Sequence, residues 1–107
     1  MKKVFISQPM VSKSDIDILE EREKAIEDCK RLVGEDIEVI DSFINDAPND
    51  ANPLWYLAKS IEFLSKADIA YFCPGWREAR GCRIEHDCAA QYGITIIDPT
   101  ESELQFI

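Results

Sequence analysis

The sequence predicts an α/β fold in which a small parallel β-sheet is covered by helices on both faces. Short runs rich in β-branched and aromatic residues recur along the chain, and longer stretches with helical periodicity separate them. The chain has 107 residues, of which 46% are hydrophobic and 31% charged. That composition is typical of a globular protein, so we expect one domain over residues 1–107 with one modest core.

The first strand and helix are predicted near the amino end. The run VFIS at 4–7 is the first strand. Ser14 is suited to cap a helix, and acidic side chains follow it in the first turn. Gly34 ends this helix as a glycine suited to a left-handed cap. Apolar residues at helical spacing predict its buried face: Ile16, Leu19, Ile26, Cys29 and Leu32 or Val33.

The second strand and helix follow a similar pattern. The run IEVIDSF at 37–43 is the second strand, and the turn-rich stretch 45–53 is a loop. Asn52 before Pro53 predicts a helix start that runs to about Lys66. We expect this helix to bury Leu54, Leu57, Ile61 and Leu64.

The last two strands flank the third helix. The run DIAYFC at 68–73 is the third strand, a helix runs from near Arg80 to Gly93, and ITII at 94–97 is the fourth strand. Right-handed β–α–β connections then predict a parallel sheet in the order 2-1-3-4. The result is a flavodoxin-like or Rossmann-like three-layer sandwich.

Ligands of such sheets bind beyond the carboxyl ends of the strands, near the switch point of the strand order. The segments 7–10, 41–43, 74–81 and 98–99 meet at that edge. Asp41 is suited either to contact a ribose or to cap a turn, and Trp76 to stack on a base. The residues from these segments that we predict to line the ligand site are Ser7, Gln8, Pro9, Met10, Asp41, Gly75, Trp76, Arg77, Arg80 and Gly81.

The charge distribution indicates a small anionic ligand. A net charge of −9 opposes binding to duplex nucleic acid. Arg77, Arg80 and Arg83 nevertheless cluster at the start of the third helix, whose free N–H groups favour an anion. Glu85 lies about one turn inside that helix, where a carboxylate is suited to act as base or nucleophile.

Several other function classes are not indicated. The chain has no dinucleotide-binding or P-loop glycine motif, and its single histidine, His86, is more typical of a structural residue than of a catalytic base. Its four cysteines form no C-x-x-C pair, so we expect free thiols, no metal site and no cofactor. With no signal-peptide or membrane-spanning pattern, we expect a cytoplasmic protein that does not bind membranes.

Three segments carry a resemblance to a known family: KVFISQPM, VIDSFINDAPNDANPLWYLAKSIEFLSKADIAYF and PGWREARGCRIEHDCAAQYGI. Over residues 2–97 the chain resembles the small phage- and prophage-associated nucleoside 2-deoxyribosyltransferase-like proteins. These in turn are similar to the wider superfamily of nucleoside deoxyribosyltransferases and deoxynucleoside monophosphate N-glycosidases, which has the flavodoxin-like fold.

The resemblance implies an activity and a nucleophile. Residues 81–85 match the superfamily's Gly-x-x-x-Glu element, so Glu85 would attack the anomeric carbon of an N-glycoside and form a covalent glycosyl-enzyme. The helix start and nearby arginines would hold a 5′-phosphate. The superfamily also implies a homo-oligomer, in which a neighbouring subunit commonly completes the pocket; the apolar tail LQFI at 104–107 points the same way.

Three departures from the superfamily pattern keep alternatives open. Phe5 stands where a tyrosine is usual, Ser60 where an aspartate is usual, and Arg83 where a second glycine is usual. Ser60 remains a candidate substrate-binding residue, because a hydroxyl can hydrogen-bond a substrate, but it supplies no carboxylic acid. The alternatives are a protein that binds a nucleotide or nucleotide-derived signal without cleaving it, and an interacting subunit with no ligand.

Overall fold

A computed structural model of the chain describes residues 1–34 and 36–100. A short 3₁₀ turn, Trp76–Glu78, follows the third strand. The strands are β1 (Lys2–Ser7), β2 (Ile37–Val39), β3 (Ile69–Phe72) and β4 (Thr95–Ile97), and the helices are α1 (Asp15–Val33), α2 (Pro53–Leu64) and α3 (Arg80–Gln91).

The four strands form one parallel sheet in the order β2-β1-β3-β4, which confirms the predicted fold and strand order. Ser7 at the end of β1 pairs with Phe72 at the end of β3, so the central strands finish at the same level. The second strand is shorter than predicted. Its pairing ends with the N–H of Ile40 donating to the carbonyl of Val4, after which the chain leaves the sheet.

Alternate residues of the central strands face opposite helical layers, as the two-residue period of a strand requires. On one face, Val4, Ile6 and Tyr71 pack with Ala25 and Cys29 of α1. On the other face, Phe5, Ala70 and Phe72 pack with residues of α2 and α3, among them Leu64, Cys82 and Ala89. The sheet therefore separates two apolar clusters, with α1 on one side and α2 and α3 on the other.

The predicted caps at Ser14, Asn52 and Gly34 are confirmed, whereas α2 ends at Leu64 and α3 at Gln91, both earlier than predicted. The Ser14 hydroxyl accepts a hydrogen bond from the N–H of Asp17, and the Asn52 side chain accepts one from the N–H of Trp55. Gly34 ends α1 in the left-handed conformation with φ of 71°, which favours glycine. These local signals needed no tertiary information, because each cap satisfies orphan backbone groups of its own helix.

Three residues predicted to be buried are exposed: Ile16, Leu19 and Leu54. Helix α1 has 19 residues and is about 28 Å long, whereas β1 has six residues and spans about 20 Å. The helix is therefore longer than the sheet it covers, and its buried residues, Ala25 and Cys29, lie in its carboxyl half. Leu54 lies in the first turn of α2, ahead of that helix's buried end at Leu64.

The apolar tail at 104–107 lies outside the described residues. Among residues 1–34 and 36–100, no helix combines the length and the apolar character needed to cross a membrane.

Candidate active site

A cleft of about 820 Å³ opens at the carboxyl edge of the sheet, where the sequence predicted a ligand site. Its floor is formed by the end of β1, and its walls by the loop at 8–13, by helix α2 and by the segment that leads from β3 into α3. We call it the Glu85 cleft. Its volume lies within the range of small-molecule sites in proteins.

Helix α2 and the segment from the 3₁₀ turn into α3 each contribute four residues to the cleft wall. On α2 these are Pro53, Tyr56, Leu57 and Ser60, whose spacing of i, i+3, i+4, i+7 places them on one helical face. Gly81, Cys82 and Glu85 share a face of α3, and Glu78 lines the cleft from the 3₁₀ turn, beyond the extended Ala79. The two helices lie close together at this point: a Cβ atom built on Gly81 would lie 3.9 Å from Cδ1 of Leu57.

Glu85 is the buried carboxylate of the cleft, with 7% of its surface exposed. The Ser7 hydroxyl donates to its Oε1 at 2.6 Å. Burial raises the pKa of Glu85, and hydrogen bonds from Ser7 and Ser60 partly offset that rise. Among residues 1–34 and 36–100, Glu85 takes part in no ion pair.

This environment is typical of a chemically active carboxylate rather than a structural one. A buried charge usually has an oppositely charged partner, because desolvation is costly. Glu85 instead has two hydroxyl donors and an open cleft beside it. A raised pKa in a cleft marks a candidate base or nucleophile.

The loop after β1 is fixed to helix α1. The side-chain amide of Gln8 donates to the carbonyl of Ile18 at 3.0 Å and to Glu21 at 3.2 Å, and Lys13 pairs with Glu21 at 3.1 Å. Ser12 adopts a left-handed conformation with φ of 65°, which costs energy in a residue other than glycine. Gln8, Pro9 and Met10 all line the cleft.

The predicted arginine cluster is divided. Arg80 lines the cleft, but Arg77 and Arg83 do not. The Arg77 guanidinium lies 4.7 Å from the centroid of the Trp76 ring and 3.5 Å from Asp98, and Arg83 donates to the carbonyl of Arg77. Arg77, predicted to line the ligand site, therefore lies outside the Glu85 cleft and packs against the Trp76 ring.

Trp76 also lies outside the cleft, contrary to the prediction that it stands in the mouth. Gly75, with φ of 87°, starts a turn that directs the indole into the core. The indole N–H donates to Asp98 at 3.0 Å, and the ring stacks on His86 with centroids 4.1 Å apart. His86 is thus part of a packed aromatic cluster and Trp76 is not free to stack on a ligand.

Asp41 is the third predicted residue that the cleft lacks. Its carboxylate accepts a hydrogen bond from the N–H of Phe43, so of the two alternatives the turn-capping one is observed. Gly75 and Gly81 do line the cleft, as do Ser7 and Ser60.

Sequence reasoning missed several lining residues, among them Lys13, Tyr56, Leu57, Glu78 and Cys82. A signal was present for most of them. Once Ser60 and Glu85 are taken as site residues, helical spacing places Tyr56, Leu57 and Cys82 on the same faces. Burial raises the pKa of Cys82, so its thiol stays protonated. Over the described residues, no three His, Cys, Asp or Glu side chains are grouped to hold a metal ion.

Comparisons with known proteins give a family and a structural relative. Residues 2–98 match the protein family described as "Domain of unknown function (DUF4406)". The crystal structure of a conserved protein from Enterococcus faecalis V583 superposes with a TM-score of 0.64 at 20% sequence identity. The match covers 92% of this chain and 62% of that one, so this chain spans well under the full length of that protein. No curated protein matches the sequence.

Proposed function

We propose that this chain, which belongs to the DUF4406 domain family, cleaves or transfers the N-glycosidic bond of a (deoxy)nucleoside or nucleoside 5′-monophosphate. The proposal rests on the site itself. Glu85 is the nucleophile in this proposal. The sequence resemblance to nucleoside 2-deoxyribosyltransferase-like proteins supports it, because residues 81–85 carry that superfamily's Gly-x-x-x-Glu element. No cofactor is part of the proposal.

One observation carries the proposal: a desolvated carboxylate faces an open cleft of about 820 Å³ and has hydroxyl groups in place of a cation as its partners. A salt-bridged carboxylate would lose nucleophilicity to its counter-charge. The Ser7 bond to Oε1 fixes the side chain and favours the anionic form, the form that attacks an electrophilic carbon. Few other cleft residues supply a buried nucleophile, since the neighbouring Cys82 stays a protonated thiol.

The amino end of α3 supports a phosphate subsite. Helices α1 and α2 begin with side-chain caps, but α3 begins at Ala79 without one. Its first turn lies beside the cleft, which Ala79, Gly81 and the exposed Arg80 all line. Amide donors at a helix start and one arginine favour a 5′-phosphate in spite of the chain's net charge of −9.

In the proposed reaction, a Glu85 oxygen attacks the anomeric carbon from the face opposite the base. The bond from that carbon to the base nitrogen breaks, its electron pair stays on the nitrogen, and an uncharged substrate's base takes a proton from solvent. Water or a second base then attacks the same carbon and releases the carboxylate, so configuration is retained overall. Ser7 and Ser60 stabilise the carboxylate when it is anionic and hold its orientation in both steps. Hydrolysis and transfer differ in which acceptor reaches the intermediate.

The test is release of free base from a panel of nucleosides and 5′-monophosphates, followed by chromatography. Wild-type protein should release base, and Glu85→Gln and Glu85→Ala should not. Asp87→Asn is a matched control, because Asp87 is an exposed carboxylate on the same helix that bonds Gln91 and lies outside the cleft. Equal activity of wild type and both Glu85 variants contradicts the proposal.

A second candidate is binding of a nucleotide, or a nucleotide-derived signal, without cleavage. Ser60 favours this candidate, because the superfamily that the sequence resembles usually has an aspartate at that position. Glu85 is therefore served by two hydroxyls, Ser60 and Ser7, and by no second carboxylic acid. Calorimetry that detects tight nucleotide binding, combined with unchanged nucleotide after long incubation, would support this candidate over the enzyme.

We also propose a cytoplasmic homo-oligomer. Exposed apolar residues on α1 and near the cleft supply surface for a second copy: Ile16, Leu19, Phe43 and Leu54. The predicted contribution of the tail at 104–107 lies outside the described residues. Light scattering at micromolar concentration should report a dimer or larger species, and a monomer there contradicts this part of the proposal.

A further inference from the structure

We propose that the base of the preferred substrate is already a cation before cleavage, as in a pyridinium nucleotide or an N7-alkylated purine nucleotide, and departs as a neutral molecule. The inference rests on the proposed function and names its substrate class. Its basis is the pair of hydroxyls that serve Glu85, Ser7 and Ser60, which suit attack on a sugar but are poor proton donors to a departing base.

The groups nearest Glu85 are poor acids. The Ser7 hydroxyl donates to the carboxylate at 2.6 Å, and the Ser60 hydroxyl lowers the pKa of Glu85 by hydrogen bonding. Cys82 lines the cleft beside them, and burial raises the pKa of its thiol. A neutral purine or pyrimidine leaves readily only when a general acid protonates it, and that assistance contributes about 10²–10⁴-fold. A cationic base needs no such proton.

The charges of the cleft also favour a cationic base. Glu85 is buried and, across residues 1–34 and 36–100, forms no ion pair. Lys13, which lines the same cleft, is paired with Glu21. Arg80 is exposed at the start of α3. A positive ring placed above the sugar would supply the counter-charge that the desolvated carboxylate lacks.

The bonds and charges balance without an added acid. An Oε of Glu85 forms a bond to the anomeric carbon while the bond from that carbon to the ring nitrogen breaks. The electron pair of the broken bond stays on the nitrogen and cancels its positive charge. Water then attacks the anomeric carbon, the ester bond to Glu85 breaks with its electron pair returning to the carboxylate, and the proton of the water passes to solvent.

The first experiment compares 7-methylguanosine 5′-monophosphate with guanosine 5′-monophosphate and its 2′-deoxy form at about pH 6, where the methylated base is cationic. Each kcat/KM is divided by the uncatalysed rate of the same compound, which removes intrinsic lability. We expect the methylated nucleotide to exceed both neutral ones by about 10²-fold or more. Glu85→Gln should abolish its cleavage, and Asp87→Asn should not.

The second experiment measures the pH dependence of nicotinamide mononucleotide cleavage. We expect activity to rise as Glu85 ionises and then to stay level, because no acid group must remain protonated. The cleft residues that also titrate or carry charge come from every element around Glu85: Lys13 from the loop after β1, Tyr56 from α2, Glu78 from the 3₁₀ turn, and Arg80 and Cys82 from α3.

The outcomes separate this inference from the proposed function. Efficient cleavage of the neutral nucleotides through Glu85, with an alkaline fall in rate, overturns the inference and leaves the proposed function standing. If Glu78→Gln or Tyr56→Phe no longer cleaved the neutral nucleotides, the substituted residue would be the proton donor. That result would likewise overturn the inference and leave the proposed function standing. Absence of cleavage for cationic and neutral nucleotides alike overturns both.

Discussion

Two hydroxyl-to-carboxylate hydrogen bonds of equal length lie on opposite faces of the sheet. On the α1 face, Tyr71 donates to Asp28 at 2.6 Å. On the other face, Ser7 donates to Glu85 at 2.6 Å. Burial and the bond to Asp28 raise the pKa of Tyr71, so that hydroxyl keeps its proton, and burial raises the pKa of Glu85 in spite of its two hydroxyl donors.

The surroundings distinguish the two carboxylates. Asp28 pairs with the surface cation Arg31, and α1 packs over the sheet at that point. Glu85 has a second hydroxyl, Ser60, in place of a cation, and borders the cleft. A short hydrogen bond to a carboxylate therefore does not by itself distinguish a functional site. What sets Glu85 apart is its lack of a cationic partner and the open cleft beside it, the features expected of a functional carboxylate.

The largest expected difference is in activity. Glu85→Gln should reduce base release by about 10⁴-fold or more, because the nucleophile is removed. Asp28→Asn should leave kcat/KM within about twofold, since the Asp28 site lies across the sheet from the cleft. Steady-state kinetics of both variants on the best substrate measure this. Comparable losses in the two variants would show that the two carboxylates do not differ in role.

The next difference concerns the arginines. Arg80→Ala should raise KM for a nucleoside 5′-monophosphate by about tenfold or more, because a charge-assisted hydrogen bond to phosphate is lost. Arg83→Ala should change it little, since Arg83 bonds a backbone carbonyl outside the cleft. The matching nucleoside without phosphate should be insensitive to both changes. A KM that responds equally to both variants would place the phosphate elsewhere.

Removal of the two hydroxyls should separate activity from stability. Ser7→Ala removes a bond that lowers the pKa of Glu85, so the acid limb of the activity profile should move to higher pH, with about tenfold less activity below neutral pH. Tyr71→Phe should instead cost about 1–2 kcal/mol of stability with activity retained. Urea unfolding and pH–rate profiles of both variants test this. An unmoved profile in Ser7→Ala contradicts the role given to Ser7.

The smallest expected effect is on the pH dependence of stability. The pKa of Glu85 is raised in the folded protein, so the folded state binds the proton more tightly than the unfolded chain does. Stability therefore falls as pH rises from the ordinary glutamate pKa through the folded-state pKa. Glu85→Gln has no carboxyl group to ionise, so it does not lose this stability as pH rises. Its unfolding temperature should be a few degrees above that of wild type at neutral pH, and the difference should disappear in acid. Parallel thermal-unfolding curves across pH would contradict the assigned shift.

The sequence predicted the fold and much of the cleft, and the failures have physical causes. Strand order and helix caps follow from local pattern and chain chirality, which need no tertiary detail. The orientation of Trp76 depends on the left-handed Gly75 and on Asp98, a partner 22 residues away, and local pattern shows neither. The exposure of Ile16 and Leu19 depends on α1 being longer than the sheet.

The hydrogen bond between Ser7 and Glu85 could not be predicted from the sequence either. It joins residues 78 positions apart, and it depends on the register of β1 against β3 and on the packing of α3. Proximity of the two segments could be predicted from the common sheet edge. That the hydroxyl donates to the carboxylate, and that Ser60 does so from α2, required the coordinates of three elements together.

The most direct test of the account is to trap the covalent intermediate on Glu85. A substrate nucleotide with fluorine at the 2′ position slows the release of the sugar by destabilising its oxocarbenium-like transition state. Intact-protein mass spectrometry should show the mass of one fluorinated sugar phosphate added to wild type and none to Glu85→Gln, and peptide mapping should place it on Glu85. Base release from the wild-type protein with no added mass, or with the sugar on another residue, would contradict the account.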